Sequence, residues 1–173
     1  MVGLMIVLLM GVSGWGKTVV GAALAETLGW PFLDGDDFHP PANVAKMASG
    51  TPLVDADRWP WLDRLSSEMG AILARGGNAI VACSALKQAY RDRLAACASG
   101  VHDIHFVHLK GDMQTISDRL AARHHRYMPA TLLASQFATL EEPAGAIVID
   151  IGGTVAEEVA NIRAGLSAAG VAP

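Results

Sequence analysis

The chain has 173 residues, 51% of them hydrophobic and 17% charged, with a formal net charge of −4 at pH 7. A chain of this length and apolar content can bury a real core, which excludes global disorder, and its acidic balance excludes a nucleic-acid surface built on bulk positive charge. Its two cysteines, Cys83 and Cys97, sit in no C-x-x-C pair, make no disulfide framework and read as plain core thiols.

Short apolar runs alternate with amphipathic stretches, with no repeat, low-complexity tract or domain-separating linker. Leu4 to Met10 is continuously apolar and reads as a fully buried strand. It is too short for a bilayer span of about 20 residues and lacks the flanks of a secretory signal, so a cytoplasmic setting without membrane contact is expected. Glycines follow, then a helix with Val20, Leu24 and Leu28 at spacings of four. Pro31 to Asp34 reads as a short second strand. Arg58 to Arg75 places Leu62, Leu65, Met69, Ile72 and Leu73 on one helical face, and Gly76-Gly77 ends that helix. Asn78 to Cys83 is a third strand, Lys87 to Cys97 a helix and Ile104 to Leu109 a fourth strand. Asp112 caps a helix carrying Met113, Ile116 and Leu120, Thr131 to Leu140 is a shorter helix, and Ala146 to Asp150 is a fifth strand. Thr154 and Glu157 form a capping box before a last helix with Val155, Val159, Ile162 and Leu166 inward. Strands alternating with helices predict an α/β fold of three layers, a five-stranded parallel sheet flanked by helices, as one domain over residues 1–173. Ligands on such a sheet bind beyond the carboxyl ends of the strands, and the polar residues of this chain cluster there.

Gly11-Val-Ser13-Gly14-Trp15-Gly16-Lys17-Thr18 matches G-x-x-x-x-G-K-(S/T) between a strand and a helix, the context in which the motif cradles phosphate. Glycines let backbone N–H groups wrap an anion at a helix N-terminus, Lys17 reaches the outer phosphates, and the Thr18 hydroxyl binds Mg2+. Trp15 stands where a small residue is usual; its ring is expected to face solvent or pack on the lid. No Asn-Lys-x-Asp motif is present, and the third strand ends in Cys83-Ser84 instead of an acidic pair. Both features point away from a GTPase or a motor ATPase and towards a small-molecule kinase. Asp34-Gly-Asp36-Asp37 follows the second strand, where carboxylates either hold a metal-bound water or accept a proton from an attacking hydroxyl, with His39 beside them. Arg119 and Arg123 lie one helical turn apart, and Arg123 opens a basic run that suits a lid over a triphosphate, about residues 123–130. His102, His105 and His108 recur every three residues along a strand whose faces alternate every two, so no metal site is expected there.

Several runs together resemble the gluconokinases, small P-loop kinases similar in fold to shikimate kinase and the nucleoside monophosphate kinases. They are Leu33-Asp-Gly-Asp36, His39-Pro, Lys46-Met-Ala-Ser-Gly, Pro60-Trp-Leu, Cys83-Ser-Ala-Leu-Lys87, Tyr90-Arg-Asp92 and Gln136-Phe-x-Thr-Leu-Glu141. The resemblance runs from about Met10 to Asp150. It implies ATP- and Mg2+-dependent phosphorylation of the 6-hydroxyl of D-gluconate by a homodimer. It further implies that Asp36 orients or deprotonates the attacking hydroxyl, that Asp34 supports Mg2+ through water, that Arg119 stacks on adenine and that Arg123 meets phosphate. For the acceptor, Arg58, Lys87 and Arg91 can supply cations to the carboxylate, and Asp36, His39 and Gln136 can bind hydroxyls.

Three positions depart from the family pattern. Val54 stands where a polar residue, often Asn, is usual, the lid reads Arg123-His-His125-Arg126-Tyr127, and Trp15 occupies the phosphate loop. Loss of a polar residue at Val54 would alter the acceptor site, and the other two would retune nucleotide affinity. Two alternatives stand beside the gluconate reading: a P-loop kinase for another sugar acid or polyol, and a nucleotide-binding module with weak catalysis.

Overall fold

The computed structural model describes residues 3–100, 104–122 and 130–171. Arg123 and the basic run to residue 129 lie outside these residues, as does His102. Five strands carry the fold: β1 (Ile6–Met10), β2 (Phe32–Asp34), β3 (Ala79–Ala82), β4 (Ile104–Lys110) and β5 (Ile147–Asp150). The helices are α1 (Lys17–Leu28), α2 (Pro41–Ala48), α3 (Asp55–Ala74), α4 (Gln88–Ala95), α5 (Met113–Ala122), α6 (Ala130–Thr139) and α7 (Val155–Ala168), with a 3-10 turn at Gly35–Phe38. The sheet order is β2-β3-β1-β4-β5 and every pairing is parallel.

Burial explains this order. Every residue of β1 and β3 is buried, so both strands need covered faces and two hydrogen-bonded neighbours. The chain leaves β1 towards β2 on one side and later returns to β4 on the other, so β1 marks the point where the strand order reverses. A crevice opens outside the strand ends at such a point. Along β4, burial deepens towards the carboxyl end, so His108 is fully buried and His105 only partly.

The sequence pattern sets the helix α3 to begin at Arg58, and it starts three residues earlier, at Asp55; it runs through Pro60, as the pattern expects. Proline removes one backbone donor there, and the buried face of Trp61, Leu62, Leu65, Met69 and Ile72 outweighs that loss. Burying each large side chain is worth roughly 1.5–3 kcal/mol. The Trp61 indole N–H donates to the Gly35 carbonyl at 2.7 Å, pinning α3 to the 3-10 turn after β2. Asp112 accepts from the Thr115 N–H at 2.7 Å. The Thr154–Glu157 box is reciprocal, with N–H donations of 2.7 and 3.2 Å. The 3-10 turn and the eight-residue α2 are too short for a clear signal in the sequence; α2 opens with a proline at its first turn, where a missing N–H costs nothing.

Val54 is the residue before α3, and its side chain caps nothing. It is 58% exposed, and only its backbone is engaged: the N–H donates to Asp57 Oδ2 at 2.9 Å and the carbonyl accepts the Asp57 N–H at 3.0 Å. A polar residue here therefore serves as a helix N-cap. Val54→Asn is expected to stabilise the protein by about 1 kcal/mol in urea unfolding.

Candidate active site

The carboxyl ends of β1 and β3 open onto a cleft of about 390 Å³. One wall is the phosphate loop, with Ser13, Gly14, Gly16, Lys17 and Thr18; Asp36, His39, Arg58 and Trp61 line another part. The loop hangs from two supports. The Gly11 N–H donates to the Ser84 carbonyl at 3.1 Å, fixing the loop to the turn after β3. The Ser13 N–H donates to Gln136 Oε1 at 2.8 Å, and Gln136 Nε2 donates to Ser13 Oγ at 3.1 Å, fixing it to α6. Gly16 ends the loop at φ 83°, a left-handed conformation that suits glycine, and α1 begins without a side-chain cap, leaving its first N–H groups to an anion. Lys17 Nζ donates to the Gly11 and Val12 carbonyls at 2.8 and 3.1 Å. Burial lowers the Lys17 pKa, and the charge of Asp36 works against that shift.

The Trp15 ring neither faces solvent nor crowds the cradle. It is 1% exposed and lies beneath the loop, edge-on to Phe137 at 5.6 Å and tilted against His108 at 5.5 Å. A side chain at Gly11, whose φ is 136°, would strike this ring and the Leu109 carbonyl, so position 11 requires glycine. The Trp15 backbone N–H donates to the Val12 carbonyl at 3.3 Å.

Thr18 Oγ1 donates to Asp34 Oδ2 at 2.9 Å. The other Asp34 oxygen accepts the Asp36 N–H at 3.0 Å. A hydroxyl and a carboxylate side by side at the rim of a phosphate cradle are the hard oxygen donors that suit Mg2+, which keeps several of its waters. Asp36 turns its carboxyl into the cleft, where it is 84% exposed. Partial desolvation by the cleft walls pushes its pKa up, with Lys17 pulling the other way. His39 stacks on Trp61 with ring centres 4.0 Å apart and lies 3.3 Å from Asn43 Nδ2. Burial, with a smaller contribution from Arg58, lowers its pKa to about 4. At pH 7 the ring is neutral, so its 3.8 Å approach to Asp36 is no ion pair.

The cations expected to serve one anionic pocket separate. Arg58 lines the cleft; its Nη1 donates to the Tyr90 hydroxyl at 2.9 Å and its guanidinium lies 5.3 Å from the Tyr90 ring centre. Lys87 lies outside the cleft lining and is paired with Asp55 at 3.0 Å, where Tyr90 also donates to Asp55. Arg91 is buried, and its guanidinium is taken up by the carbonyls of Ala85, Leu86 and Glu141. Gln136 borders the cleft but spends both ends of its amide on Ser13. Val54 lies outside the cleft lining. Arg119 belongs to the backbone of α5. Cys83 lines the cleft with its thiol pushed up to about 12 by burial, consistent with a core thiol. Asn43 and Asp55 shape the site without any motif of their own, and nearness in sequence to His39 and Arg58 is the signal available for them. Trp61 and Tyr90 lie in the quoted family runs, which give them no task.

A family model described as an AAA domain matches residues 6–143. The chain is 48% identical to the gluconokinase of Gluconobacter oxydans (strain 621H), over 78% of this chain and 74% of that protein. It is 42% identical to the thermoresistant gluconokinase of Escherichia coli (strain K12), over 92% of this chain and 94% of that one. A solved gluconokinase from Sinorhizobium meliloti 1021 superposes with a TM-score of 0.84 at 43% identity, covering 97% of this chain and 94% of that chain.

Gln136→Ala removes one support of the loop and two hydrogen bonds. It is expected to weaken Mg-ADP binding roughly tenfold by isothermal titration calorimetry, in line with about 1 kcal/mol for each bond partly recovered from water.

Proposed function

The chain belongs to the gluconokinase family, and on that premise we propose that it transfers the γ-phosphoryl group of ATP to the 6-hydroxyl of D-gluconate, giving 6-phospho-D-gluconate and ADP. The observation that carries this reading is that one cleft holds a phosphate loop together with Asp36 and Arg58. Lys17 belongs to the phosphates. Among the described residues lining the cleft, Arg58 is then the cation left for an acceptor carboxylate.

In this mechanism Lys17 leaves the Gly11 and Val12 carbonyls for the outer phosphates. Thr18 and Asp34 would hold Mg2+, which supplies charge neutralisation at the phosphates when bound. Arg58 fixes the carboxylate end of gluconate, and the neutral His39 and Asp36 hold the far hydroxyls. The 6-hydroxyl oxygen bonds to the γ-phosphorus, the bond from phosphorus to the ADP oxygen breaks, and the hydroxyl proton passes to Asp36. Its raised pKa makes Asp36 a better proton acceptor than an ordinary carboxylate. Arg119 and Arg123 complete the nucleotide side by family resemblance. The homodimer and the cytoplasmic setting belong to the same proposal. Among the described residues no helix is long and apolar enough to cross a membrane, and light scattering at twice the monomer mass checks the dimer.

The test is ADP release with Mg-ATP against D-gluconate, related sugar acids and neutral polyols, with mass detection of the product. Selective gluconate turnover is expected; faster turnover of another acceptor would replace gluconate in this reading. Asp36→Asn is expected to lower kcat by about 100-fold or more while Mg-ATP affinity changes little. In the wild type, kcat is expected to fall as pH drops through the raised Asp36 pKa, above the usual carboxylate range, because the base must be ionised to act. That limb disappears in Asp36→Asn. Arg58→Ala is expected to raise KM for gluconate roughly 10- to 100-fold and to leave neutral polyols unaffected.

A further inference from the structure

We infer that Arg91 is a positioning residue for the phosphate loop, because its one guanidinium holds both supports from which that loop hangs. The first support is the turn after β3, where the Ser84 carbonyl takes the Gly11 N–H. The next residue, Ala85, has φ 45°, a left-handed conformation that an L side chain resists, and it is the one non-glycine residue at positive φ among the described residues. Arg91 Nη1 donates to the carbonyls of Ala85 and Leu86 at 2.8 and 3.1 Å, holding the two consecutive peptides that follow Ala85. The second support is α6, which carries Gln136 against Ser13. Arg91 Nη2 donates to the Glu141 carbonyl just past the end of α6 at 3.0 Å, and the Glu141 N–H returns to the Leu86 carbonyl at 2.8 Å. Gln88 adds its side-chain carbonyl to Arg91 Nη2 at 3.1 Å.

The side chain is 3% exposed and makes no contact with the cleft lining's acidic groups. Its place in the site is therefore indirect. Without the clamp, Ala85 relaxes towards negative φ, and rotation about its N–Cα bond turns the Ser84–Ala85 peptide plane away from Gly11. At the same time the end of α6 loses its tie to the same turn. Misplacement of the cradle weakens nucleotide binding, whereas the acceptor side, held by Trp61 and Tyr90, stays where it is. This inference rests on the nucleotide site of the proposed function and not on the identity of the acceptor.

The experiment measures Mg-ADP binding by titration calorimetry, with the melting temperature and steady-state KM values alongside. Arg91→Lys keeps the charge but cannot span the carbonyls. In the folded variant, the Kd for Mg-ADP is expected to rise about tenfold, with KM for gluconate moving less than twofold. Adding Ala85→Gly, which adopts positive φ without strain, is expected to return Kd to within about threefold of wild type without restoring the melting temperature. An unchanged Kd in folded Arg91→Lys, or no recovery on adding Ala85→Gly, would overturn the role. So would equal losses in both KM values. If Arg91→Lys does not fold, Gln88→Ala, an exposed position, removes one acceptor; a two- to threefold rise in Kd is expected, and no change overturns the inference. Wild-type protein that fails to bind Mg-ADP would overturn the kinase reading itself.

Discussion

The site depends on β1 being buried on both faces with a parallel neighbour on each side. Five consecutive residues without exposed surface leave the strand no freedom of position or register. The chain must leave it at Met10, in the crevice between the ends of β3 and β4. The glycine loop starts from that fixed point, and its first N–H immediately finds the Ser84 carbonyl of the neighbouring strand's turn. The cradle is thus placed by the core, and its shape is then held by contacts from β3 and α6. A phosphate site works in this way because little covalent chemistry is asked of it; position and charge supply the catalysis.

The elements that could be read from the sequence are those whose signal is local. The apolar run of β1, the spacing of Leu62, Leu65 and Met69, and the Thr154–Glu157 cap each depend on near neighbours in the chain. The phosphate motif was legible for a related reason, since its chemistry demands particular residue types at a fixed place in the fold. The start of α3 lies ahead of Arg58 because its first residues, Asp55-Ala-Asp57, carry none of the large apolar side chains that mark the buried face. Trp15 was misjudged because the space beneath the loop is formed by His108 and Phe137, distant in sequence.

The basic residues show the same limit more sharply. Arg58, Lys87 and Arg91 carry the same charge, and the family resemblance offers all three the same task, so sequence alone does not separate them. Tertiary structure gives each a different partner: a tyrosine at the cleft, an aspartate at the surface, and a set of main-chain carbonyls in the interior. Arg91 illustrates why a buried arginine suits the last task. Its planar fork offers several donors at once and stays charged where a lysine ammonium would shed its proton. Glutamine at position 136 is similarly drawn from the acceptor to the backbone, since one amide satisfies a donor and an acceptor on Ser13 together.

The sheet order has a consequence for the chain as it is made. β1 emerges from the ribosome first, but its partners are β3 and β4, the last of which ends at Lys110. Roughly two thirds of the polypeptide must appear before the central strand has neighbours on both sides. Until then a flat, uncharged, strand-forming segment is left unpaired, the kind of segment that associates with copies of itself. Nascent-chain protection, by a chaperone or by rapid burial under α1, is therefore a requirement set by topology. Substitutions that slow the docking of β3 or β4 will reduce the yield of this protein even where they leave its finished stability unchanged.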